Sequence, residues 1–156
     1  MIIVTAIIAA IGVPLLLETV NAWSFNSKFQ DNAVSCAVVA MNRMSRDIRR
    51  LKNDASVTTA NGTTFAFTDT NNNAISYSKS GTVLMRNSDG LADNISSLTF
   101  TYYDDNGLTI GSPTVSPNTN IRRVEVDYAI LAGTNTLNFN FQVRPQNLRR
   151  LSEKFK

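Results

Sequence analysis

From Met1 to Leu17 the chain reads MIIVTAIIAAIGVPLLL, seventeen residues without a charge and with Thr5 as the only hydroxyl. This run constrains the protein more than any other, because a helix apolar on every side needs lipid or neighbouring helices around it. It would span about 26 Å at ~1.5 Å per residue, slightly short of a ~30 Å hydrocarbon core. A cleavable secretory signal should carry a basic start, a shorter apolar stretch and an A-x-A-like site, and the run has none of these. Pro14 would kink a spanning helix, which membranes tolerate when neighbouring groups take up the freed carbonyl. The candidate membrane residues are therefore Ile2, Ile3, Val4, Ala6, Ile7, Ile8, Ile11, Val13, Pro14, Leu15, Leu16 and Leu17.

The composition changes after Glu18, but no Gly or Pro interrupts the stretch between Leu15 and Ser56. Val34, Ala37, Met41, Met44, Ile48 and Leu51 recur at helical spacing, which predicts one apolar stripe packing on a sheet. Asn42, Arg43, Ser45, Arg46, Asp47, Arg49 and Arg50 fall between them and predict the solvated side. Cys36 lies beside the stripe and reads as a small buried hydrophobe. One helix from Met1 to about Asn53, bent near Pro14, would be on the order of 80 Å long.

From Ser56 onward the apolar period switches to two. Phe65 and Phe67, Ile75 and Tyr77, then Leu98, Phe100 and Tyr102 each share a face. So do Val124, Val126, Tyr128 and Ile130, with Arg123, Glu125 and Asp127 opposite, and Leu137, Phe139, Phe141 and Val143, with Asn138, Asn140 and Gln142 opposite. One apolar and one polar face is the pattern of antiparallel sheet. Turn residues fall at Asn61-Gly62, Asn71–Asn73, Ser80-Gly81, Asp89-Gly90, Asn106-Gly107 and Gly133, and Gly111–Asn120 reads as one long loop. The expected fold class is α+β. It comprises a long N-terminal helix, transmembrane over 1–17 and amphipathic over 18–54, packed on an antiparallel β domain of about six to seven strands over 55–156 with a short basic C-terminal tail.

The composition removes most catalytic chemistry. There is no histidine and one cysteine among 156 residues. Imidazole acid–base catalysis, His-ligated metals and intramolecular disulfides are excluded. Phosphate-binding Gly-rich motifs and the GxSxG nucleophile elbow do not occur. Asp69-Thr-Asn71-Asn-Asn73 has the first oxygen spacings of a calcium loop, but Ala74 stands where glycine is needed and Ser80 where a bidentate glutamate is needed. Turn chemistry explains it better. Asp104-Asp105 would need ligands from elsewhere to hold calcium. No cofactor and no enzymatic activity are expected. The net charge of +3 is unevenly spread, because cations concentrate in Arg43–Lys52 and Arg144–Lys156 while the stretch between is acidic. Arg43, Arg46, Arg49, Arg50, Arg149 and Arg150 are the candidate partner contacts, for acidic protein surfaces first and nucleic acid second.

Ile2 to Pro14 (IIVTAIIAAIGVP), followed by a long amphipathic stretch and a β domain, resembles the mature start of the type IV pilin-like superfamily. That family opens Phe-Thr-Leu-Ile-Glu before its apolar run. Met1 would directly follow the family glutamate, so the expectation is that the chain as given starts late, at an internal Met or a cut. Without leader, peptidase site and glutamate, it is expected to enter membranes but not to join a fibre. Downstream, Met44-Ser-Arg46-Asp47-Ile48-Arg49-Arg50, Ile75-Ser-Tyr77, Leu84-Met-Arg86, Leu91-Ala-Asp-Asn-Ile95, Leu98-Thr-Phe100-Thr-Tyr102-Tyr103, Ile121-Arg-Arg-Val124-Glu-Val126 and Val143-Arg-Pro145-Gln-Asn147-Leu148-Arg149 resemble minor pilins of the PilW kind and pseudopilin J of type II secretion. The resemblance implies a single-pass inner-membrane protein with a periplasmic head, located after assembly in a surface or periplasmic fibre. Its implied partners are other pilin or pseudopilin subunits, the prepilin peptidase and the inner-membrane assembly platform. The alternatives are a DNA- or surface-binding minor pilin and an unrelated membrane-anchored periplasmic β protein.

Overall fold

The computed structural model describes residues 32–110, 114–115 and 120–148. Every residue named above as a membrane candidate lies outside them, as do Arg149 and Arg150. Among the described residues no helix is long and apolar enough to cross a membrane.

Among the described residues, helix α1 covers 32–49 and precedes ten strands. These are β1 (Val57–Ala60), β2 (Thr64–Thr68), β3 (Ala74–Ser80), β4 (Val83–Arg86), β5 (Asp89–Ala92), β6 (Ile95–Tyr103), β7 (Thr109–Ile110), β8 (Thr114–Val115), β9 (Arg123–Ala132) and β10 (Asn135–Val143). They form two antiparallel sheets, one ordered β5-β4-β3-β2-β1-β8 and the other β10-β9-β6-β7. This corrects the expected fold class. The described chain is mostly β, with 18 helical residues among those described and two antiparallel sheets of ten strands where about six to seven strands were expected.

The helix end has a physical cause. Leu51 leaves the helix to bridge Asp69 on the β2–β3 turn. The carbonyls left without helical partners find tertiary ones. Arg49 O accepts from Gln146 N at 3.2 Å, Arg50 O from Thr70 N at 2.9 Å, and Leu51 O from Asn147 Nδ2 at 3.0 Å. A helix continued to Asn53 would forfeit the bridge and these three bonds, and absence of Gly and Pro cannot report that. The additional strands β1, β5, β7 and β8 run two to four residues, too short for periodicity to register. Asp89-Gly90, expected as a turn, opens β5, while the turn itself lies at residues 87–88. Thr114–Val115 pairs with β1, so the expected long loop contributes a short strand.

One continuous core joins α1 to both sheets. Phe65 on β2 meets Phe100 and Tyr102 on β6 at ring-centroid distances of 6.0 and 5.5 Å. The backbone seals that seam, with Phe100 N donating to Gly62 O at 2.9 Å and the Tyr102 hydroxyl to Asn61 O at 2.9 Å. On the second sheet, Tyr128 stacks on its cross-strand neighbour Phe139 at 5.2 Å and donates its hydroxyl to Ala37 O of α1 at 2.7 Å. Burial of the three phenols of Tyr77, Tyr102 and Tyr128 raises their pKa values, so all three stay neutral donors at physiological pH.

Candidate partner-binding surface

The core face of α1 consists of Ala37, Ala40, Met44 and Ile48, continued by Leu51 beyond the helix end, all fully buried. Of the other predicted stripe residues, Met41 packs partly against this core, and Val34 is 39% exposed. Cys36 is exposed instead of buried. The 3.6-residue period explains these positions, since Ala33, Ala37, Ala40, Met44 and Ile48 form the row that faces the sheet and Val34 falls on its flank.

Asp47 departs most from the sequence reading. Assigned to the solvated side, it is 4% exposed. Its Oδ2 accepts from the Tyr77 hydroxyl on β3 at 2.7 Å and from Arg86 Nε on β4 at 2.7 Å. Arg43 Nε, one turn earlier on α1, approaches the same oxygen at 3.4 Å. Burial raises the pKa of Tyr77, and the bond to Asp47 and its charge raise it further. Arg86 is also raised: desolvation works against its charge, and the bond to Asp47 and the carboxylate's charge outweigh that loss. A buried carboxylate with two charge-assisted or hydroxyl donors clamps the helix to the β3–β4 hairpin in one rotation about its axis. Sequence could have suggested this only through the Asp47 position, which helical phase puts next to Met44 and Ile48.

The clamp leaves Arg46, Arg49 and Arg50 on the outer surface, where all three are exposed. Two grooves flank the ridge they share with Asn42. One, of about 420 Å³, is lined by Val39, Asn42, Arg43 and Arg46 of α1 together with Arg86, Asp89, Gly90 and Leu91. The other, also about 420 Å³, is lined by Asn42, Ser45, Arg46, Arg49, Arg50 and Gln146. The ion pairs of Arg43 and Arg86 are both with Asp47, and among the described residues no carboxylate forms an ion pair with Arg46, Arg49 or Arg50. Three like charges at positions i, i+3 and i+4 repel one another, partly offset by the helix C-terminus. An acidic partner would relieve that repulsion. Of the predicted arginines, the structure thus brings Arg46, Arg49 and Arg50 to one outward surface and sets Arg43 partly aside in the clamp.

The two carboxylate motifs serve the backbone. Asp69 Oδ1 accepts from the N–H groups of Asn71 at 2.9 Å and Asn73 at 2.8 Å, and Asn72 completes the turn with φ of 65°. Desolvation raises the Asp69 pKa, but the bonds from Asn73 and Asn71 and the Arg50 charge outweigh it and leave the carboxyl below its usual range. Asp104 Oδ1 closes the β6–β7 turn in the same way, through Asn106 N and Leu108 N. Beside it, the Arg123 guanidinium lies 4.3 Å from the centre of the Tyr103 ring, whose hydroxyl bonds Glu125. That bond, with a second from Asn140, lowers the Glu125 pKa. Among the described residues no group of three or more His, Cys, Asp or Glu side chains is arranged to hold a metal ion. No family model matches the chain, and no curated protein has significant sequence similarity to it.

Proposed function

We propose that the chain is a non-enzymatic structural subunit, a minor pilin or minor pseudopilin. The native protein, as distinct from the 156-residue form expressed as written, would join a type IV pilus or a type II secretion pseudopilus at or near the tip and prime assembly with other subunits. The observation that carries this reading is the combination of an apolar, uncharged Met1–Leu17 with a following helix that spends one face on a β head and turns arginines outward. Such a chain has a segment to bury among lipids or like helices and a charged ridge to meet neighbours. Inner-membrane insertion with the β head in the periplasm follows from the same reading, with the prepilin peptidase and assembly platform as partners.

The test is the N-terminal peptide of the native protein, recovered from its host's membranes and sequenced by mass spectrometry. A few residues ahead of Met1 that end in glutamate and open with an N-methylated residue are expected. An N-terminus at Met1 would overturn the processed-pilin reading and leave an anchored β protein. A second reading, a DNA-binding minor pilin, is favoured by one observation, three exposed arginines along one groove that have no ion pair among the described residues. Salt-dependent retention on DNA that is lost when Arg46, Arg49 and Arg50 are replaced by glutamine would support it, and retention that survives the replacement would count against it.

A further inference from the structure

The two sheets have four edges, and three are blunted. β7 and β8 are two residues long. β5 has four residues, begins at Asp89 and meets β4 through a register shift. Short, charged or irregular edges resist pairing with a further strand. β10 has none of these devices. It runs nine residues, NTLNFNFQV, without charge, Pro or Gly, and pairs with β9 through nine successive positions without a shift. Among the described residues no backbone bond is made from its outer edge. Leu137, Phe139 and Phe141 on one face are only half-buried, and Thr136, Asn138, Asn140 and Gln142 on the other are exposed.

We propose that the β10 edge is a self-pairing surface, on which a second copy of this chain adds its own β10 antiparallel about a two-fold axis at Phe139. The strand's own pattern selects this occupant. In that register Leu137 faces the second copy's Phe141, Phe139 faces its equivalent, Asn138 faces Asn140 and Thr136 faces Gln142. Apolar meets apolar on one face and amide or hydroxyl meets amide on the other, with no charge opposed to a like charge. The contact is isologous and closes at two copies, joining both four-stranded sheets into one of eight strands. A single strand pair lies at the small end of specific interfaces, so a micromolar to millimolar association is expected, weak enough to be governed by local concentration. This assignment is independent of the fibre reading.

The experiment uses the full chain in detergent micelles. Sedimentation across roughly 10 µM to 1 mM should show a monomer–dimer equilibrium. The Asn138→Glu variant, whose own neighbour on β9 is Ala129, would face the second copy's Asn140 with the Glu125 and Asp127 carboxylates bonded behind it, and should weaken the dimer severalfold with unchanged thermal unfolding. Register is read by disulfide cross-linking in a Cys36→Ser background. A mixture of Asn138→Cys and Asn140→Cys chains should cross-link well beyond either alone, since these positions face each other at roughly 4.5–5.5 Å between Cβ atoms. Thr136→Cys should not cross-link to itself, because its two copies lie about 20 Å apart in this register. A chain that stays monomeric throughout, a dimer that Asn138→Glu leaves intact, or cross-linking at position 136 equal to that of the mixture would each overturn the assignment.

Discussion

Replacing Asp47 by alanine should destabilise the fold far more than a helix-surface aspartate would. The side chain accepts from the Tyr77 hydroxyl and Arg86 Nε, both at 2.7 Å, on a single oxygen that is almost fully buried. Each such bond to a charged group contributes about 1.5–3 kcal/mol, and removal leaves the fully buried Tyr77 hydroxyl without an acceptor. Arg86 retains some water contact, its side chain being 20% exposed, which reduces the cost below that of a wholly buried pair. The expected loss is about 3 kcal/mol, or on the order of 10–20 °C in Tm for a domain of this size. Thermal unfolding followed by far-ultraviolet circular dichroism measures it. Tyr77→Phe should cost less, about 1–2 kcal/mol, and should be non-additive with Asp47→Ala because both remove one bond. Arg43→Ala should cost under about 0.5 kcal/mol, since its side chain is 42% exposed and 3.4 Å from the carboxylate. A loss under about 1 kcal/mol for Asp47→Ala, or an Arg43→Ala cost equal to it, would refute the clamp and return Asp47 to the helix surface.

Alkaline titration should unfold the domain for a related reason. Tyr77, Tyr102 and Tyr128 have raised pKa values through burial, so their stabilisation is complete below the unfolded value near 10 and is lost as pH rises above it. With about 1.4 kcal/mol per group per pH unit, roughly 4 kcal/mol should be gone by pH 11, seen as a falling urea midpoint between pH 9 and 11. Met44→Ala empties a fully buried site and should cost about 2–5 kcal/mol, while Val34→Ala on the exposed flank should stay within about 0.5 kcal/mol by the same denaturation assay. Asn94 holds φ of 59°. Asn94→Gly should therefore be tolerated to within about 0.5 kcal/mol, whereas Asn94→Ala should cost about 1 kcal/mol or more.

The three arginines of the outer ridge were legible because helical phase follows from a period of 3.6, and residues opposite Met44 and Ile48 must face outward. The same logic made the faces of β6, β9 and β10 readable, since strict alternation admits one register relative to a core. The point where the helix ends was not legible. The end of α1 depends on Thr70, Gln146 and Asn147, which are 20 or more residues away in sequence from the carbonyls they satisfy. Nor was the burial of Asp47, which requires Tyr77 and Arg86 to arrive from β3 and β4.

By itself, the sequence determined the local terms: an apolar N-terminal run, a one-sided helix, alternating strands, turns where Asn and Gly can adopt positive φ, and the absence of imidazole and paired thiols. Those depend on side-chain chemistry and spacing within a few residues. Tertiary structure alone decided which strands share a sheet, where the helix stops, which carboxylate is buried and which edge has no partner among the described residues. Each of these is a competition between partners remote in the chain. Satisfaction of buried carbonyls and charges settles that competition, and local propensity carries no record of it.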